Sequence, residues 1–147
     1  MKLTRFTDYS LRVLIYLGLE NGRRVTIREI SDAYGISRNH LMKVVSNLTR
    51  QGYLDARRGP GGGITLSRPP GEISLADVIR DMEEDLNLVE CFCEDGQCVI
   101  QPVCRLRGVL KQALAAYIGV LEQHTLTDLL RPRNQLSDLL GLNIEAA

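Results

Sequence analysis

The chain is 147 residues long, 44% hydrophobic and 24% charged, which suits one globular domain with an appendage and excludes a disordered or collagen-like chain. No apolar run is long enough to cross a bilayer, and the opening Met1-Lys2-Leu3-Thr4-Arg5-Phe6-Thr7-Asp8 lacks a signal peptide's continuous apolar stretch. The expected location is therefore cytoplasmic, with no membrane partner.

The formal net charge of +0 hides an asymmetry. Residues 1–70 carry twelve Lys/Arg against five Asp/Glu, and residues 71–147 carry six against thirteen. A basic half suits a phosphate backbone, and an acidic half is repelled by one.

In chain order, residues 8–20 place Leu11, Leu14, Ile15, Leu17 and Leu19 at the spacing of a largely buried helix. Asp8 stands where an N-cap would stand, and Asn21-Gly22 supplies the stop. Thr26-Ile27-Arg28-Glu29 is a capping box that opens a helix ending at Gly35. Ser37 caps the next helix, Arg38 to Arg50, which buries Leu41, Val44, Val45 and Leu48 and stops at Gly52. Two short helices joined by a tight glycine-containing turn form a helix-turn-helix. The polar front of its second helix, Ser37, Arg38, Asn39, His40 and Lys43, is where such a helix meets base edges and phosphates, with Arg28 on the preceding helix.

Tyr53-Leu54-Asp55-Ala56-Arg57-Arg58, Gly59-Pro60-Gly61-Gly62-Gly63 and Ile64-Thr65-Leu66-Ser67-Arg68 read as strand, glycine-rich turn and strand. At the tip, Arg57 and Arg58 suit a narrow minor groove, while Gly61 and Gly62 let the backbone approach phosphates. The glycine run is not a P-loop, because no Lys-Ser/Thr follows it. Pro69-Pro70-Gly71 is a break, and Ser74 starts a helix running to about Met82. After Cys104, the apolar positions Leu106, Val109, Leu110, Ala113, Leu114, Tyr117, Ile118 and Leu121 form one face of a long helix with nothing large left in the chain to cover it. A second copy is the expected cover, so the chain is expected to be a homodimer that touches two DNA half-sites.

The expected fold is mainly α with a small β-hairpin wing. A winged helix-turn-helix domain spans 1–82, with the helix-turn-helix at about 26–51 and the wing at 53–68. A cysteine loop covers 83–104, a dimerisation helix 105–130, and a loosely held tail 131–147.

All four cysteines, Cys91, Cys93, Cys98 and Cys104, lie within fourteen residues. In a reducing compartment such a cluster reads as metal ligands before disulfides. The spacings C-x-C, C-x4-C and C-x5-C lack the paired knuckles of structural zinc, and neither His40 nor His124 is near in sequence. They suit an iron–sulfur cluster held by the thiolates of one irregular loop, with zinc as the rival. No nucleophile with a placed base is found, so no enzyme is expected.

Five blocks then carry a resemblance: Thr4-x-Phe6-Thr7-Asp8-Tyr9, Ser37-Arg38-Asn39-His40, Arg57-x-Gly59-x-Gly61-Gly62-Gly63, Leu88-Val89-Glu90-Cys91 and Pro102-Val103-Cys104-Arg105-Leu106. Together, to about Leu130, the chain resembles the NsrR-type nitric-oxide-sensing repressors, winged-helix proteins of the same family as the cluster regulator IscR. The resemblance implies a homodimer on double-stranded operator DNA, a [4Fe–4S] cluster and nitric oxide as effector. The implied ligands match Cys91, Cys98 and Cys104, with Asp8 donated by the partner subunit. Cys93 is an extra thiol and the alternative to Cys91. Arg107 stands where IscR-like relatives carry a histidine ligand, and a guanidinium does not ligate. An IscR-like regulator of cluster or redox status is the other reading, and [2Fe–2S] or zinc the other cofactors.

Overall fold

The computed structural model describes residues 2–93 and 96–143. Glu94 and Asp95 of the cysteine loop and residues 144–147 of the tail lie outside the described residues. No helix among the described residues is long and apolar enough to cross a membrane.

Helix α1 spans Arg5–Leu19. It begins one turn before the position expected from Asp8, because Thr4 is the cap: its side chain accepts from the Thr7 N–H. Asp8 is thus corrected from cap to first-turn residue. Helix α1 buries Val13, Leu14, Leu17 and Leu19 at the centre of the molecule. The chain leaves it through Asn21 and Gly22, both with positive φ.

Helices α2, Ile27–Tyr34, and α3, Arg38–Arg50, form the helix-turn-helix. The Thr26–Glu29 capping box closes reciprocally, and Gly35 ends α2 in the left-handed region. Leu41, Val44, Val45 and Leu48 of α3 are buried, as their spacing predicts. Strands β1, Leu54–Arg57, and β2, Gly63–Leu66, pair antiparallel with Leu54 opposite Leu66 and Arg57 opposite Gly63. Val25 bridges Ile64, so the α1–α2 connection runs beside the hairpin. This is a winged helix.

Helix α4, Leu75–Met82, packs against α1 with Ala76, Val78, Ile79 and Met82 buried. One core cluster joins α1 to α4, the wing and the later residues Leu126 and Leu130. The chain then runs through the cysteine loop to α5, Arg105–Glu122.

Two expected boundaries change here. The helix expected over 105–130 ends at Glu122. The backbone N–H of Leu75 donates to the His124 carbonyl at 3.1 Å, and that of Leu126 to the Ile73 carbonyl at 2.9 Å, pinning the turn onto the start of α4. A capping box of Thr125 and Asp128 then opens the short α6, Leu126–Leu129. The described part of the tail is not loose either. Helix α7, Arg133–Leu140, packs Leu136 and Leu140 against the core and buries Ser137. Arg133 donates to the Leu19 carbonyl at the end of α1.

Candidate nucleic-acid interface and cysteine loop

Ser37 belongs to the fold as much as to any interface: its hydroxyl accepts from the His40 N–H at 3.3 Å and starts α3. Beyond it, Arg38, Asn39, His40, Met42, Lys43 and Ser46 are exposed on one side of α3, while Leu41, Val44 and Val45 fill the other. Arg28 lies on the exposed surface of α2, 3.7 Å from Asp32.

At the wing, Arg57 and Arg58 are exposed, and Arg57 lies 3.6 Å from Asp55. Gly61 has φ +73°, and a Cβ at Gly62 would sit 2.4 Å from the Arg57 carbonyl oxygen, so the tip admits only glycine there. Arg24 clamps the hairpin from outside. Its guanidinium donates to Asp55 Oδ2 at 2.5 Å and to the Gly63 carbonyl at 3.3 Å. The hydrogen bond from Arg24 holds the Asp55 carboxyl below its ordinary value. Sequence reasoning missed this clamp, because nothing local links residues 24 and 55.

A second missed contact ties α3's exit to α4. Tyr53 is buried at 2% exposure and donates its hydroxyl to Asp81 Oδ2 at 2.6 Å. Burial, reinforced by that carboxylate, pushes the Tyr53 phenol well above its ordinary value, so it stays a donor. Glu83, at the entrance to the cysteine loop, accepts from the Thr4 N–H at 2.8 Å and from its hydroxyl at 3.1 Å. The acidic stretch thereby holds the start of α1.

Asp8 lies half-exposed on α1, paired with Arg12 one turn on at 2.8 Å. The Arg12 guanidinium sits 5.8 Å from the centroid of Tyr9 and 5.9 Å from that of Tyr34. The Tyr9 ring is 6.2 Å from the ring of His40, on the first turn of α3. The Tyr34 hydroxyl, on α2, donates to the Arg12 carbonyl at 3.1 Å, and burial pushes its pKa up to about 12. A continuous set of contacts therefore runs from the Asp8 carboxylate to both helices of the helix-turn-helix.

The four cysteines are free thiols, Cys91 and Cys104 half-buried, Cys93 and Cys98 exposed. The loop doubles back tightly, since a Cβ at Gly96 would lie 2.5 Å from the Glu90 carbonyl oxygen and 2.8 Å from the Cys91 Cα. The Asn87 amide lies 3.6 Å from Cys93 Sγ. Among the described residues no three His, Cys, Asp or Glu side chains gather closely enough to hold a metal ion. The chain alone brings neither the four thiols nor Asp8 into one set. The donor set itself, soft thiolates on one short loop, suits iron–sulfur or zinc chemistry.

Helix α5 begins directly at Cys104, its N-cap. Of its apolar face only Ile118 is buried among the described residues, whereas Leu106 and Val109 are each 60% exposed. Its first turn carries Arg107, whose Nε is buried without a hydrogen-bond partner.

A family model described as Rrf2, iron-dependent transcriptional regulator, matches residues 3–132. The chain belongs to the Rrf2 family. Among curated relatives it is 49% identical to the HTH-type transcriptional regulator NsrR of Bacillus licheniformis, over 96% of this chain and 100% of that protein. It is also 49% identical to NsrR of Bacillus subtilis, over 97% and 99%. Among solved structures, CymR, the global cysteine regulator of B. subtilis, superposes with a TM-score of 0.71 at 28% identity, covering 88% of this chain and 95% of that one. The IscR of T. potens superposes at 0.72 over 100% and 94%, at 21% identity, and shows the shared fold. Both NsrR relatives are named as HTH-type transcriptional regulators.

Proposed function

We propose that this Rrf2 protein is a homodimeric repressor that binds operator DNA and senses nitric oxide through a [4Fe–4S] cluster. Cys91, Cys98 and Cys104 would hold the cluster, with Asp8 of the partner subunit as the fourth ligand. Cys93 stands by as the alternative to Cys91. Such a cluster would supply iron open to attack by nitric oxide, held by these thiolates. The likeness to NsrR supports the effector, and the soft thiol set supports the cofactor.

The observation that carries this reading is the line from Asp8 through Arg12 and Tyr9 to His40 on α3. An exposed i,i+4 ion pair is worth only about 0.5 kcal/mol. Asp8 therefore gives up Arg12 at little cost when a better partner is offered by a second subunit. Doing so leaves the Arg12 charge between Tyr9 and Tyr34 and changes the setting of His40 and α2 together. Releasing Asp8 reverses this. A coupling of about 1.4 kcal/mol between the two settings changes DNA affinity tenfold.

Dimerisation is supported by the partly open apolar face of α5, where Leu106 and Val109 are exposed. In a two-fold dimer the two α3 helices would reach half-sites about 34–36 Å apart. A carboxylate crossing between subunits would brace that separation.

The test is anaerobic purification with an optical spectrum and iron and sulfide counts, followed by nitric-oxide titration of operator binding, for wild type and Asp8→Ala. The wild type is expected to hold four irons and four sulfides per chain and to release DNA on titration. Asp8→Ala is expected to keep its fold and melting behaviour but to lose cluster or uncouple it from DNA. An unchanged spectrum, response and affinity in Asp8→Ala removes Asp8 from the ligand set. A colourless, iron-poor protein with full operator affinity overturns the sensing mechanism, and two irons per chain or bound zinc replaces the cofactor.

A further inference from the structure

On the exposed side of α3 every side chain but one is polar or charged: Ser37, Arg38, Asn39, His40, Lys43, Ser46 and Arg50 surround Met42. Met42 is 57% exposed, while the helix's other large apolar residues, Leu41, Val44, Val45 and Leu48, are buried. It is therefore not part of the core that fixes α3. Helical spacing puts it one turn from Arg38 and Ser46 and three residues from Asn39, on the same exposed face.

In the major groove an A·T pair presents adenine N7 and N6 together with the thymine C5-methyl group. The methyl is the apolar feature of that edge. The Asn39 amide carries the donor and acceptor that match adenine, and the unbranched, flexible Met42 thioether suits a methyl contact. A wet apolar side chain on an otherwise polar helix face is explained if DNA covers it.

We infer that Met42 is a specificity-determining residue: it packs on a thymine methyl in each half-site, beside an adenine read by Asn39. The inference rests on α3 being the recognition helix. It goes further by naming the base feature that α3 reads and an apolar residue that reads it.

The test uses the full chain and a duplex that it selects from a random-sequence library. Each half-site thymine is then replaced in turn by deoxyuridine, which deletes only the methyl. Dissociation constants are measured for wild type, Met42→Ala and Met42→Leu, with an unselected duplex as reference. At one position per half-site the wild type is expected to bind the uracil duplex about fourfold more weakly, the scale of one buried methyl. Met42→Ala is expected to bind thymine and uracil duplexes alike, and Met42→Leu to restore the difference.

If Met42→Ala keeps the wild-type thymine preference, or if no position responds to methyl deletion, Met42 is not the reader. If the selected and unselected duplexes bind wild type equally, α3 reads no sequence, and the recognition-helix reading falls along with this one.

Discussion

From α1 to α4 the molecule is packed around itself, while from the cysteine loop through α5 it is turned outward. Leu14, Leu17, Leu41, Leu48 and Ile73 are sealed from solvent at 0–1% exposure. Val99, Val103, Leu106 and Val109 are exposed at 95%, 83%, 60% and 60%. The first region satisfies its apolar surface within one chain, and so can position α3 and the wing without help. The second leaves apolar surface and two of its four thiols, Cys93 and Cys98, exposed, as the proposed second subunit and metal centre would require. The difference separates two ways of being held: the head is held by packing within one chain, whereas the outward segment would, on the proposed reading, be held by what it binds.

The sharpest way to break the comparison is a matched pair of truncations. Leu41→Ala is expected to destabilise the chain by about 2–5 kcal/mol, because the site is enclosed and cannot collapse fully. Leu106→Ala is expected to stay within about 0.5 kcal/mol in a dilute monomer, yet to weaken self-association. Chemical denaturation reads the first effect and sedimentation at several concentrations reads the second. Equal losses of stability in both would mean that α5 is already covered within the chain.

A smaller effect probes how α4, the last helix before the cysteine loop, is tied to the exit of α3. Tyr53→Phe removes the hydroxyl held by Asp81 and is expected to cost about 1.5–2 kcal/mol, the scale of a hydrogen bond to a charged acceptor. Denaturation measures the loss, and operator binding shows whether α3's exit has moved. No loss of either kind would reduce the contact to a surface pairing.

The smallest expected effect is confined to the head. Burial pushes the Glu29 carboxyl up, but hydrogen bonds from the Thr26 N–H and hydroxyl and from Arg23 outweigh it and hold the group below its ordinary 4.5. A depressed carboxyl contributes its full stability above 4.5 and loses it as pH falls through the lower folded value. Glu29→Gln is therefore expected to cost about 0.5–1 kcal/mol at neutral pH and progressively less as pH falls below 4.5. Parallel stability curves for wild type and variant across that range would show that the capping box does not act through charge.

The helix-turn-helix was legible because its signals are local. Thr26 with Glu29, Gly35, Ser37 and the 3.6-residue spacing of Leu41, Val44, Val45 and Leu48 each act within one or two turns. Where competing local signals lay close together, the reading slipped. Asp8 looked like a cap because it precedes the apolar run, but Thr4 stands one turn earlier and takes the Thr7 N–H. The helix expected over 105–130 ends at Glu122, because Thr125 and Asp128 open a new helix there. The tail from 131 is expected to be loose, yet Leu136 and Leu140 pack against the core.

The sequence by itself determined the elements of the head, the wing and the thiol-bearing loop, since propensity, capping and periodicity are properties of neighbouring residues. Only the tertiary structure decided that Arg24 grips Asp55, that Tyr53 reaches Asp81, that Glu83 holds Thr4, and that Asp8 leads through Arg12 and Tyr9 to His40. Most of these pairs lie 28 to 79 residues apart. No local periodicity encodes a contact that exists only once a shared core has brought distant segments together.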